Sequence, residues 1–99
     1  MARNLTTIDD KKWKYLQDIA KPYALNILEE LEKGNRRFSE LKHLCKSQKT
    51  LTIRLYELIE LGVIQTIVDK PKNKRVIVSY NITEKGKHLL SIAKEFVKT

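Results

Sequence analysis

Residues 38–64, FSELKHLCKSQKTLTIRLYELIELGVI, constrain the fold more than any other stretch of the chain. Ser39 carries a hydroxyl that can satisfy orphan amides at a helix start, so a short helix is expected from there to about Cys45. A second is expected from Ser47 or Thr50 to Leu61, with Gly62 as its stop, because glycine enters the left-handed conformation that ends helices at little cost. Only residues 46–49 lie between them. Helical spacing sends Leu51, Leu55, Leu58 and Ile59 inward together. Lys49, Thr52, Ile53 and Tyr56 fall on the opposite side, with Gln48 near the start. Two helices joined this tightly, the second amphipathic, form the helix-turn-helix pattern, whose second helix enters the DNA major groove.

The outward set suits that task. Amides and hydroxyls can hydrogen-bond base edges, and Ile53 can touch a thymine methyl. An ordinary solvated face is the alternative, but Ile53 and Tyr56 are bulky groups that gain little from exposure unless something covers them.

The flanking segments fit around this unit. Residues 7–20 read as a first helix that Thr7 or Asp9 can cap, with Asp9 and Asp10 at the positive end of its dipole. Trp13, Leu16 and Ala20 share one of its faces, and Trp13 is expected to anchor a core or a dimer interface. Pro22 belongs in the first turn of a second helix that runs to about Lys33. Its stripe of Ala24, Leu25, Ile27, Leu28 and Leu31 is wide enough to be central to the core. Gly34 and Asn35 end it, and Arg36 and Arg37 form a basic bridge into Phe38.

After Gly62 the pattern becomes β-rich, in residues 63–68 and again in 76–82, with turn chemistry at Pro71 and Asn73 between them. The tip of this expected hairpin carries Lys70, Lys72, Lys74 and Arg75 against Asp69 alone. A basic hairpin straight after a recognition helix is placed to meet phosphates or the minor groove, as the wing of a winged helix-turn-helix. Thr83 and Glu84 then open a last helix towards Lys98. Leu89, Leu90, Ile92, Ala93, Phe96 and Val97 leave it apolar on more than one side, which suggests cover from a second subunit. A two-fold dimer would set its recognition helices about 34 Å apart, one turn of DNA.

The expected fold is therefore mainly helical α+β: a winged helix-turn-helix with a β-hairpin wing and N- and C-terminal helices for dimerisation. It occupies one domain over residues 1–99, with its core in 21–83 and dimerisation elements in 7–20 and 84–98. A net charge of +8, from 20 basic and 12 acidic residues, favours a polyanionic partner, although a lysine-rich surface also serves solubility. One cysteine allows no intrachain disulfide, and neither a signal peptide nor a membrane span is visible, so a cytoplasmic protein without membrane attachment is expected. His43 and Cys45, two apart on a helix, sit about 200° apart around it, a poor geometry for chelation. His88 stands alone on the last helix. With three glycines and no nucleotide loop or catalytic order of residues, no metal, cofactor or enzymatic activity is expected.

Three ordered blocks resemble the HxlR-type winged-helix regulators. KPYALNILEELEKGNRRFSEL, at 21–41, is similar to that family's G-K-W-x-x-x-I-L-x-x-L-x-x-G-x-x-R-F-x-E-L, with Ile27, Leu28, Leu31, Gly34, Arg37, Phe38, Glu40 and Leu41 in register and Lys21 one place from the lysine. SQKTLTIRLYELIELGVI resembles I-S-x-x-x-L-x-x-R-L-x-x-L-x-x-x-G-L-V through Ser47, Leu51, Arg54, Leu55, Leu58 and Gly62. VSYNITEKG, at 78–86, resembles the wing-to-helix junction V-x-Y-x-L-T-x-x-G. Tyr23 stands at the usual tryptophan, the wing tip is longer and richer in lysine, and no cysteine precedes the first core helix. In some members a cysteine at that place senses electrophiles or oxidants, so the resemblance does not by itself imply thiol sensing here. The resemblance implies a dimeric, sequence-specific transcriptional regulator of the wider MarR-, ArsR- and PadR-like superfamily.

On this reading Gln48, Lys49, Thr52, Ile53 and Tyr56 meet the major groove, while Arg36, Arg37, Arg54, Lys70, Lys72, Lys74 and Arg75 neutralise phosphates of double-stranded DNA. Trp13, Leu16, Leu89, Ile92, Ala93 and Phe96 form the expected homodimer interface. A winged helix used as a protein-interaction module in a transcription or replication assembly, and a non-specific architectural DNA binder, are the alternatives.

Overall fold

A computed structural model describes residues 10–72 and 75–98, apart from the side chains of residues 10 and 11. The helices are α1 (Asp10–Ile19), α2 (Ala24–Glu32), α3 (Phe38–Leu41), α4 (Gln48–Glu60) and α5 (Glu84–Lys98), with a 3₁₀ turn at Lys42–Leu44. The strands are β1 (Arg36–Arg37), β2 (Ile64–Asp69) and β3 (Ile77–Ile82), in one antiparallel sheet of order β1-β3-β2. This is the winged helix-turn-helix, mainly helical α+β. The expected caps Thr7 and Asp9, the side chain of Asp10, and Asn73 and Lys74 of the wing lie outside the described residues.

The wide stripe of α2 makes it the central helix. Ala24, Ile27, Leu28 and Leu31 are buried against Leu41, Leu51, Leu55 and Leu58, and Val63, Ile64, Ile82 and Leu90 close the core from the sheet and α5. Removing such side chains from water is the main favourable term in folding. No helix among the described residues is long and apolar enough to cross a membrane.

Several local expectations are corrected. Pro22 does not open α2, because Tyr23 follows it with φ 73°, in the left-handed region, and the helix starts only at Ala24. Arg36 and Arg37 are not a bare bridge but a strand, paired Arg36 to Tyr80 and Arg37 to Ser79. That pairing delivers Arg37 in extended conformation, so Arg37 rather than Ser39 precedes the first helical residue. The Glu40 carboxylate accepts from the Arg37 amide at 2.8 Å, which ties down the start of α3. The helix expected as far as Cys45 tightens into the 3₁₀ turn after Leu41. Ile59 is 37% exposed rather than inward, because it lies at the margin of the leucine stripe and the next core places go to Leu61 and Val63.

Two glycines are structurally required. Gly62 has φ 76° and lets the chain leave α4 for β2. Gly86 sits in the first turn of α5 so close to the Val63 carbonyl and to Ile82 that a side chain there would collide with both. Thr83 fixes the same junction: its hydroxyl donates to the Gly62 carbonyl at 2.7 Å and accepts from the Gly86 amide at 3.1 Å.

Candidate nucleic-acid interface

Ser47 positions the start of α4. Its backbone is extended and its Oγ accepts from the Thr50 amide at 3.1 Å, an N-cap that satisfies one of the donors every helix start leaves open. From there the leucine stripe fixes the rotation of the helix. With Leu51, Leu55 and Leu58 buried, Gln48, Lys49, Thr52, Ile53 and Tyr56 are all exposed. The hairpin of β2 and β3 rises beside this helix in register from Ile64 opposite Ile82 to Asp69 opposite Ile77. Lys70, Lys72 and Arg75 are exposed at its tip.

The twelve residues expected to meet DNA therefore fall into two groups among those described. Lys49, Lys70, Lys72 and Arg75 are exposed, and none forms an ion pair with another described residue. Arg37 is also exposed. Arg36 and Arg54 are committed inward. The Arg36 guanidinium pairs with Glu30 at 3.0 Å and donates to the Asn35 carbonyl at 3.0 Å. Its hydrogen bond holds Glu30 below the usual carboxylate range against the opposing effect of burial. Arg54 donates from Nε to the Pro22 carbonyl at 2.9 Å and from Nη1 to Glu57 at 3.3 Å. Its side chain is thereby drawn towards the turn before α2, away from the edge of α4 from which it was expected to reach a phosphate.

Arg54 belongs to a chain of charges that the sequence reading missed. Lys14 and Lys21 hold Asp18 at 3.2 and 2.9 Å, Lys21 also binds Glu57, and Glu57 pairs with Arg54. Asp18 is only 6% exposed. Burial alone would raise its pKa, but hydrogen bonds from Lys21 and Lys14 outweigh it and hold the carboxyl below its ordinary range. Hydrogen bonds to Glu57, then Asp18, push Lys21 above the usual lysine value. This network ties α1 and the strained turn at Tyr23 to the middle of α4, so α4 is braced from behind. Lys14 and Asp18 are neighbours one turn apart on α1 and Lys21 follows just past its end, whereas the link to Glu57 joins residues far apart in sequence.

Four of the six expected dimer residues line one or other of two apolar grooves. Leu16, Leu89 and Ile92 line an apolar groove of about 220 Å³ between α1 and α5, together with Tyr15, Ile19 and His88. Ala93 lines a second, between α2 and α5, of about 390 Å³. Trp13 and Phe96 are exposed. Cys45 is partly buried against the core, where burial raises its thiol pKa and nearby Arg54 opposes the rise only in part. Among the described residues no three His, Cys, Asp or Glu side chains gather as a metal site would need.

Residues 18–99 match the model of the HxlR-like helix-turn-helix family. Among solved structures the chain is similar to the reduced form of the transcriptional regulator YodB from B. subtilis, with 29% identity and a TM-score of 0.76 over 93% of this chain and 90% of that one. The diamide-treated form of YodB gives 29% identity and a TM-score of 0.78 over 93% and 91%. The chain is 31% identical to ytcD, described as an HTH-type transcriptional regulator, with a TM-score of 0.74 and 92% of each chain covered. No curated protein matches.

Proposed function

Because this chain belongs to the HxlR-like helix-turn-helix family, we propose that it binds double-stranded DNA in a sequence-specific way, as a homodimeric transcriptional regulator. The observation that carries the reading is the sorting of its cations. Arg36 and Arg54 neutralise the protein's own carboxylates, while Lys49, Lys70, Lys72 and Arg75 face outward without a carboxylate partner among the described residues. A surface built only for solubility gains nothing from that arrangement around one exposed helix and one hairpin. A polyanion does, since each phosphate neutralised releases a condensed counterion.

In this reading α4 lies in the major groove, Gln48, Lys49, Thr52, Ile53 and Tyr56 meet base edges, and Arg37 with the wing cations meets the backbone. Arg54 acts by positioning α4 and not by touching phosphate. The groove between α1 and α5 becomes the two-fold interface, with Leu16 and Ile92, each 53% exposed, covered by the partner. The likeness to YodB and ytcD, both transcriptional regulators, supports the regulatory role.

Selection of bound duplexes from a random pool tests this directly. Enrichment of an inverted repeat with half-sites about one helical turn apart is expected. A pool that emerges without a preferred sequence but is retained points to architectural binding. The exposure of Ile53 and Tyr56 is the observation that favours a protein-interaction module instead, and under that reading no duplex is retained.

A further inference from the structure

The outward face of α4 changes character along its length. Gln48 and Lys49 present an amide and an ammonium in the first turn. At Thr52, a turn later, the hydroxyl donates to the Gln48 carbonyl at 2.9 Å, so its proton is not available to a base and it offers outward a methyl group and acceptor lone pairs. Ile53 has no polar atom in its side chain and is 43% exposed, and Tyr56 is 65% exposed. These three side chains share an open groove of about 420 Å³ with Lys14, Asp18, Glu57 and Glu60. Both oxygens of Glu57 are taken, one by Lys21 and one by Arg54, and Asp18 is held by Lys14 and Lys21. Glu60, at the far end of the helix, is the carboxylate of this groove that no described cation holds.

We propose that this segment recognises thymine through its C5 methyl group, with Ile53 as the principal contact and Thr52 and Tyr56 beside it. The assignment rests on the DNA-binding reading above and specifies what that surface reads. Thymine is the base that presents a methyl group in the major groove, and apolar side chains are its natural contacts there. Hydrogen-bond donation by the middle of the helix is left to the Tyr56 hydroxyl, because the donor of Thr52 is already used and Ile53 has none. The apolar occupant is carried by a nucleic acid and not by an apolar protein partner, because exposed cations flank the segment at the helix start and on the wing, while the groove's own acids, Glu60 apart, are answered within the protein. Lys42 of the 3₁₀ turn, Lys46 of the loop before α4 and Lys49 in its first turn are exposed, and Lys70, Lys72 and Arg75 are exposed on the wing. An apolar group set in a polyanion satisfies both features together. Gln48 adds an amide suited to adenine N6 and N7 in the same half-site, which makes the site rich in A·T pairs.

Deoxyuridine provides the test, since it pairs as thymidine does and lacks only the methyl group. Duplexes selected by the full chain are resynthesised with deoxyuridine at one thymidine position at a time, and affinities are measured by fluorescence anisotropy. At specific positions in each half-site a loss of about fourfold is expected, the equivalent of one buried methyl-sized group. In Ile53→Ala the same replacements are expected to cost less than about twofold, because the side chain that covers the methyl is gone. Selective binding that survives replacement of every thymidine without loss would overturn the thymine assignment and leave DNA binding intact. If no duplex is enriched at all, the DNA-binding reading itself fails and this assignment fails with it.

Discussion

Gly86→Ala offers a sharp test because helix propensity and packing predict opposite signs. Gly86 lies in α5 with φ outside the positive region, so alanine would ordinarily gain about 1 kcal/mol there. The structure opposes this. A Cβ on residue 86 would run into the Val63 carbonyl oxygen and would stand 2.7 Å from Ile82 Cγ1. That carbonyl is fixed in place, since it accepts from the Thr83 amide at 3.0 Å, and Val63 and Ile82 are both buried. Relief requires α5 to move off the sheet, weakening the Thr83 junction to Gly62 and the seat of Leu90 in the core. With overpacking at about 3 kcal/mol, the upper part of its usual range, and about 1 kcal/mol regained from propensity, the net loss is about 2 kcal/mol. For a domain of this size that lowers the melting temperature by roughly 8–16 °C. Thermal melts followed by far-UV circular dichroism measure it, at one protein concentration so that any dimer contributes equally. An alanine variant as stable as the parent, or more stable, would refute the packing argument.

Asp18→Asn is expected to cost roughly 1–2 kcal/mol at neutral pH, since it removes two charge-assisted hydrogen bonds whose lysine partners are partly solvated. Because the folded-state pKa of Asp18 is lowered, its contribution is present above the unfolded value near 3.8 and lost as pH falls through the folded one. Denaturation midpoints of parent and variant should therefore converge below about pH 4, and a constant gap down to acid pH would exclude the ion-pair account. Leu16→Glu together with Ile92→Glu is expected to yield a folded monomer in sedimentation velocity, since both side chains flank the α1–α5 groove and are exposed in the single chain; an unchanged dimer would place the interface elsewhere. Lys72→Ala is expected to weaken binding to selected and random duplexes alike and to reduce the salt slope by about one, whereas Tyr56→Ala should alter sequence preference by about 1–3 kcal/mol. Equal effects of both changes on both duplexes would refute that division.

Much of the fold was legible because its signals are local. The Ser47 cap, the leucine stripe of α4, Gly62 and the switch to alternation after it each act within a few residues, and each is where the pattern places it. What was not legible depends on partners distant in sequence. Arg36 and Arg37 form a strand only because Tyr80 and Ser79 are there to pair with them. Pro22 fails to open α2 because the turn at Tyr23 takes a left-handed conformation that Arg54, thirty-two residues on, helps hold through the Pro22 carbonyl. The glycine of the junction motif, Gly86, was visible as a match, yet its reason is the Val63 carbonyl brought against it by the sheet. For the candidate site, position on the helix face identified which side chains are exposed. It did not reveal that Arg36 and Arg54 answer internal carboxylates, since charge in a sequence carries no record of its partner.

We propose that the outward face of α4 and the wing engage duplex DNA through phosphate neutralisation. The most direct test is the affinity of the full chain for a selected duplex, measured across salt concentration. Six phosphate contacts predict a slope of about −5 in the logarithm of affinity against the logarithm of salt, or a loss of about a thousandfold between roughly 50 and 200 mM. A flat response over that range would contradict the claim, whatever the affinity at any single salt concentration.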